Sequence, residues 1–167
     1  MKIRGFELIS KEQYQKDFNN LLYYSAFLYD QILLPKRATS KSAGYDVFSP
    51  ISFELNPNEE IKIPTGIKSY MLNNEVLKAY PRSSLGFKYF LRFANTIPVI
   101  DADYYNNINN EGHIWIKLRN ESDQRIEINR GEAICQVIFE KYLLADGDSF
   151  DGKERIGGLG STDEGEA

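Results

Sequence analysis

From Pro35 onward the chain is a succession of short apolar runs, each cut off by a turn signal, and this limits its fold more than any other feature. Residues 51–55 lie between Pro50 and Asn56-Pro57-Asn58, residues 61–63 stop at Pro64, residues 67–72 at Asn73-Asn74, and residues 76–80 at Pro81. Residues 113–118, 125–128 and 133–142 complete the set. Proline lacks the N–H a ladder needs, and asparagine bonds its own backbone in turns, so both end strands. Runs this short at this spacing predict an all-β sandwich or barrel. At 167 residues the chain is long enough for one domain with a real core.

The first 35 residues differ. Residues 3–9 read as a strand. Ser10 then reads as a helix N-cap, with Gln13 at the spacing of a capping box. Tyr14, Phe18, Leu21, Leu22, Leu28 and Tyr29 recur near 3.6 residues per turn and predict an amphipathic helix ending before Pro35. Its polar face mixes signs, which suits packing on the domain or a neighbouring subunit better than a membrane surface. No apolar run approaches the ~20 residues that span a bilayer, and Met1 to Gly5 lack the apolar core of a signal peptide. From about Asp146 the chain is rich in Asp, Gly and Ser and reads as a mobile arm. One domain is expected: an extension over 1–35, a β-barrel over 36–145 and an arm over 146–167.

With 24 acidic against 20 basic residues, the net charge of −4 argues against a general nucleic-acid binder. Local arginines can still hold a small anion. The single cysteine, Cys135, permits no intrachain disulfide and points to a reducing cytoplasm; it reads as a packed small residue. His113 is the only histidine, so no His-based triad or zinc cluster is built around a second one. It is expected on a strand surface, and Trp115 in the core or an interface.

The candidate site residues fall in five stretches. Val99-Ile100-Asp101-Ala102-Asp103-Tyr104 reads as a strand running into an acidic rim; if extended, it sets Asp101 and Asp103 on one face. Alone it is an ordinary acidic turn. Ala43-Gly44-Tyr45-Asp46 reads as a tight turn in a polar segment. Pro81-Arg82-Ser83-Ser84-Leu85-Gly86 reads as a loop offering a guanidinium and two hydroxyls, the charge and directed donors that phosphate oxygens need. Arg130-Gly131-Glu132-Ala133-Ile134-Cys135-Gln136 is a turn entering a strand, with Gln136 offering an amide. Arg155-Ile156-Gly157-Gly158-Leu159-Gly160-Ser161-Thr162 can approach phosphate closely, but lacks P-loop spacing.

Taken in order, these five stretches resemble the five motifs of trimeric dUTP pyrophosphatases (dUTPases), spanning Ala43 to Thr162. The resemblance implies a distorted, jelly-roll-like β-barrel. It also implies a homotrimer with shared active sites and magnesium-dependent hydrolysis of dUTP to dUMP and pyrophosphate. Residue by residue, it makes Asp101 the general base for the attacking water; a carboxylate of ordinary acidity is ionised at neutral pH. Asp46 helps hold Mg2+ through water. Arg82, Ser83 and Ser84 grip the phosphates, and Gln136 adds a hydrogen bond. Asn95 and the Val99–Ile100 backbone line the uracil pocket, and Tyr104 packs under the deoxyribose, leaving no room for a 2′-hydroxyl. Asp103 holds the turn. Arg155, Leu159, Gly160, Ser161 and Thr162 fold over the bound triphosphate.

Four departures from the family pattern stand out: Pro98 and Leu159 where glycine and phenylalanine are frequent, Ala133 where arginine is frequent, and a longer loop over 106–111. Two other functions bear on the same fold. A dCTP deaminase needs a glutamate where Lys117 stands. Loss of Asp101 or of the last motif would favour a non-catalytic regulatory binder of the same fold, and both are present; a moonlighting member can combine catalysis with protein binding.

Overall fold

The structure is a computed structural model, and it describes residues 2–19 and 29–150. Among the described residues, twelve strands and two short helices form four antiparallel sheets, so the all-β expectation holds. β1 (Gly5–Leu8) is followed by α1 (Lys11–Asn19), β2 (Lys36–Arg37), β3 (Tyr45–Phe48), β4 (Phe53–Leu55), β5 (Glu60–Pro64), β6 (Ile67–Tyr70) and β7 (Glu75–Pro81). Then come α2 (Ser83–Tyr89), β8 (Leu91–Phe93), β9 (Val99–Asp101), β10 (Trp115–Asn120), β11 (Ile126–Ile128) and β12 (Ala133–Lys141). The sheets run β1-β6, β5-β10-β8, β11-β4 and β2-β3-β12-β7-β9.

Alternation builds the core. In β10, Ile116, Leu118 and Asn120 point inward while Lys117 and Arg119 face out. Ile63, Ile67, Leu77, Ile116, Ile134 and Val137, drawn from three of the four sheets, meet in one apolar cluster. Each contributes about 1.5–3 kcal/mol by leaving water.

Four expectations change. The stretch around Tyr45 is strand rather than turn, because β3 is paired on both sides, by β2 and β12. Ser83 to Tyr89 form a helix rather than a loop. No side-chain cap announces it, and Phe90 closes it in the left-handed region (φ 48°) where a glycine would have been the signal. The capping box is half formed. Ser10 Oγ accepts from the Gln13 N–H (3.0 Å), but the Ser10 N–H goes to Glu111 (2.9 Å) and the Gln13 amide to Asp17 (2.7 Å). His113 lies in the interior, not on a strand surface. It is fully buried; its Nε2 accepts from the Gly66 N–H (2.8 Å), and its Nδ1 lies 2.6 Å from Asp17 of α1. Residues 20–28 of the expected helix lie outside the described residues, and its expected end is a 3-10 turn over Tyr29–Gln31 rather than α-helix.

Candidate active site

One sheet carries both halves of the candidate site. β12 runs between β3 and β7, so Gln136 sits opposite Asp46 on one side and Tyr80 on the other. Cys135 faces Pro81, and Arg82 leaves the sheet directly after it. Asp46, Arg82 and Gln136 therefore converge. Arg82 Nε lies 3.2 Å from Asp46 Oδ1, and the Gln136 amide donates to the Pro81 carbonyl (3.4 Å). Ser83 and Ser84 open α2 beside them, both exposed. A cleft of about 420 Å³ lies at Arg82 and Ser83, walled by Phe87 and Phe90.

Local backbone makes this possible. A Cβ on Gly44 would fall 2.3 Å from the Gln136 Oε1, so the glycine is what lets that amide lie across β3. The β3–β12 register shifts between Ala133 and Cys135, a bulge of the kind that re-aims side chains next to functional sites. The earlier part of the same motif is structural. Gly131, at φ +82°, donates to Ser49 (2.8 Å), and Glu132 bonds the Asn129 side chain and backbone. Cys135 is wholly buried, and burial pushes its thiol well above the ordinary range. It is a packing residue, as expected.

The second half lies at the far end of β7. A tight turn joins β8 to β9: the Ile97 N–H donates to Asn95 (2.7 Å), Thr96 takes φ 64°, and the buried Pro98 carbonyl accepts from the Ala79 N–H (3.0 Å). Asn95, Val99, Ile100, Asp101, Tyr104 and Trp115 line a small cleft of about 100 Å³. Trp115, expected in the core or an interface, is half-buried on its wall. Asp101 ends β9, and Ala102–Tyr104 form a 3-10 turn. The pleat that would set Asp101 and Asp103 on one face therefore stops between them. Asp101 is half-buried and Asp103 exposed. Tyr104 is buried, its hydroxyl donating to the His113 carbonyl (2.8 Å).

These halves do not meet within one chain. Asp101 pairs with Val76, whereas the phosphate-type residues start at Pro81, five positions along the same strand. At about 3.3 Å per residue that is roughly 17 Å. The cleft at Asp101 also falls well short of the roughly 300 Å³ minimum usual for small-molecule pockets. Arg155, Leu159, Gly160, Ser161 and Thr162 lie outside the described residues. Lys117, at the position where a deaminase needs glutamate, faces outward and pairs with Glu60 (2.6 Å). The described residues hold no group of three or more His, Cys, Asp or Glu side chains able to bind a metal. No helix among them is long and apolar enough to cross a membrane.

A dUTPase family model matches residues 30–162. The chain belongs to the dUTPase family. The deoxyuridine 5′-triphosphate nucleotidohydrolase of Lactococcus lactis subsp. lactis is 44% identical over 163 residues, covering 97% of this chain and 99% of that protein. The crystal structure of the dUTPase from Streptococcus mutans, 40% identical, superposes with a TM-score of 0.68 over 86% of this chain and 99% of its own. A mutant dUTPase from phage phi11 of S. aureus, described with a structural Mg(II) ion, shares the fold at 17% identity (TM-score 0.63; 92% of this chain and all of that one). The dUTPase jelly-roll is thus the fold of this chain, as the motif order implied.

Proposed function

We propose that the chain hydrolyses dUTP to dUMP and pyrophosphate in a homotrimer whose sites combine residues of different subunits. The observation that carries the shared site is the spacing along β7, with Asp101 opposite Val76 and Arg82 just beyond Pro81. Two such halves complete one another only when another copy brings its Asp101 cleft to the Asp46–Arg82–Gln136 end. Closed cyclic assembly of identical chains satisfies every such pair at once.

In this reading, uracil enters the cleft at the Asn95–Ile100 turn and Tyr104 backs the deoxyribose. The Asp101 carboxylate takes a proton from the attacking water as its oxygen bonds the α-phosphorus, and the bond to the β-phosphate oxygen breaks. Pyrophosphate leaves against Arg82, Ser83 and Ser84, which oppose the charge it gathers, and Gln136 adds a hydrogen bond. The donor set suits a magnesium ion that arrives with the phosphates rather than an all-protein cage: Asp46 is one half-buried carboxylate, already shared with Arg82. Such an ion would supply charge neutralisation on the triphosphate. Arg155, Leu159, Gly160, Ser161 and Thr162 close over it in the same reading, and the lone buried Cys135 suits a cytoplasmic setting.

A panel of dUTP, UTP, dCTP and dTTP with magnesium tests the proposal. Pyrophosphate release confined to dUTP is expected. Tight dUTP binding without turnover would replace the enzyme with a binding protein, and ammonia release from dCTP would replace it with a deaminase.

A further inference from the structure

The loop that follows Tyr104 is built to hold that ring in place. Asn110 Nδ2 donates to the Tyr104 hydroxyl (2.8 Å), which itself donates to the His113 carbonyl (2.8 Å). At the other end of the residue, Asn107 Nδ2 donates to the Tyr104 carbonyl (2.8 Å). The Asn110 amide is oriented by its own partners: its Oδ1 accepts from Asn107 Nδ2 (2.7 Å) and from the Gly112 N–H (3.1 Å), which turns its Nδ2 toward the tyrosine. Asn107 Oδ1 in turn accepts from the Asn109 and Asn110 N–H groups (3.1 and 3.2 Å). Gly112 is required here, since at φ +79° a Cβ would stand 2.5 Å from the Tyr104 carbonyl.

The loop is also tied to the N-terminal extension. Glu111 takes both the N–H and the hydroxyl of Ser10, at the start of α1 (2.9 and 2.5 Å). Lys16 donates to the Asn109 carbonyl (3.2 Å), and the Tyr105 hydroxyl to Glu7 of β1 (2.6 Å). Two parts of the chain outside the five motifs therefore interlock, and their meeting point bears on Tyr104.

A ring excludes an extra hydroxyl only if it cannot retreat, and sites of this kind need their groups fixed within about 0.5 Å. We propose that Asn110 is a positioning residue that locks the Tyr104 ring and thereby sets the discrimination between deoxyribose and ribose. This inference rests on the reading of Tyr104 as the sugar platform.

The test is the ratio of kcat/KM for dUTP to that for UTP, measured on the full chain. Asn110→Ala should narrow it about tenfold, the scale of one hydrogen bond, chiefly through a gain on UTP. Simple loss of folded protein would lower both substrates alike and leave the ratio where it was. Tyr104→Phe, which keeps the ring and removes both hydroxyl contacts, should narrow the ratio at least as much, and the double variant no further than Tyr104→Phe. Tyr104→Leu separates the two claims. If it abolishes discrimination while Asn110→Ala and Tyr104→Phe leave the ratio intact, the role of Asn110 is overturned and the platform stands. If Tyr104→Leu also leaves the ratio intact, the platform reading itself falls.

Discussion

Asp101 lies opposite Val76 in the β7–β9 ladder, five residues along β7 from the Pro81 that introduces Arg82. If sites form between subunits, two inactive variants should repair each other. Asp101→Asn and Arg82→Ala chains, unfolded together in equal amounts and refolded, should recover about a quarter of wild-type activity, the chance that both contributing chains are intact at the position each supplies. Either variant refolded alone should stay inactive. A mixture no more active than its parts would place the whole site in one chain.

Asp101→Asn alone addresses the chemistry. Loss of a general base costs about 10²–10⁴ in turnover, while the Asn95–Ile100 turn and the phosphate ligands proposed to hold dUTP are untouched. Equilibrium binding should therefore survive, with kcat reduced by that factor. Near-normal kcat in this variant would remove Asp101 from the mechanism.

Gly44→Ala probes the contact between β3 and Gln136. The added methyl comes nearest the Oε1 of Gln136 (2.3 Å), with the Gln136 Cβ at 3.3 Å, so the amide has to swing away. We expect the melting temperature to change little and kcat/KM for dUTP to fall about tenfold, as expected for a misplaced polar group at a reacting centre. The same substitution in a Gln136→Ala background should be silent; a further loss there would show that Gly44 acts on something else.

The N-terminal extension should come off the barrel in acid. Glu75 is held below its ordinary 4.5 by its hydrogen bond from Arg4, against burial. For Asp17, burial pushes upward, but hydrogen bonds from His113 and Gln13 outweigh it and hold the group below 3.8. For Glu111, burial likewise pushes upward and Ser10 and Lys68 prevail. Carboxylates depressed by folding stabilise fully above their unfolded values and lose that stabilisation as pH falls through the folded ones. Limited proteolysis at residues 2–19 should be slow at pH 6 and rise steeply below about pH 4, ahead of barrel unfolding followed by circular dichroism. Equal protection of both regions down to pH 3 would contradict this.

Most strands and their spacing were legible in the sequence because proline and paired asparagines mark the ends of most runs. The elements that escaped are those fixed by tertiary contact. β2, β3 and β8 are two to four residues long and exist because neighbours pair with them. α2 lacks both a capping side chain and a closing glycine. His113 could not be placed from its neighbours, since its partners Asp17 and Gly66 are 96 and 47 residues away. The candidate site residues stood out as motifs, but the distance between them did not, because that depends on which strands flank β7. The Asn107–Asn110 clasp left a trace in Asn106-Asn107-Ile108-Asn109-Asn110, a run that read as a longer loop and whose bonds only the fold supplies.

β7 has a further consequence as a ruler. In the proposed assembly, β7 leads at its Pro81 end into the phosphate ligands of one nucleotide and, through β9 paired along Val76–Lys78, carries the water-activating carboxylate of the next. The pitch between neighbouring reaction centres is therefore set by backbone geometry within β7, which is flanked by β12 and β9, and not by the packing of subunit surfaces. Surface loops, the arm and the N-terminal extension can diverge freely without detuning that pitch. A two-residue insertion within β7 would shift every centre at once.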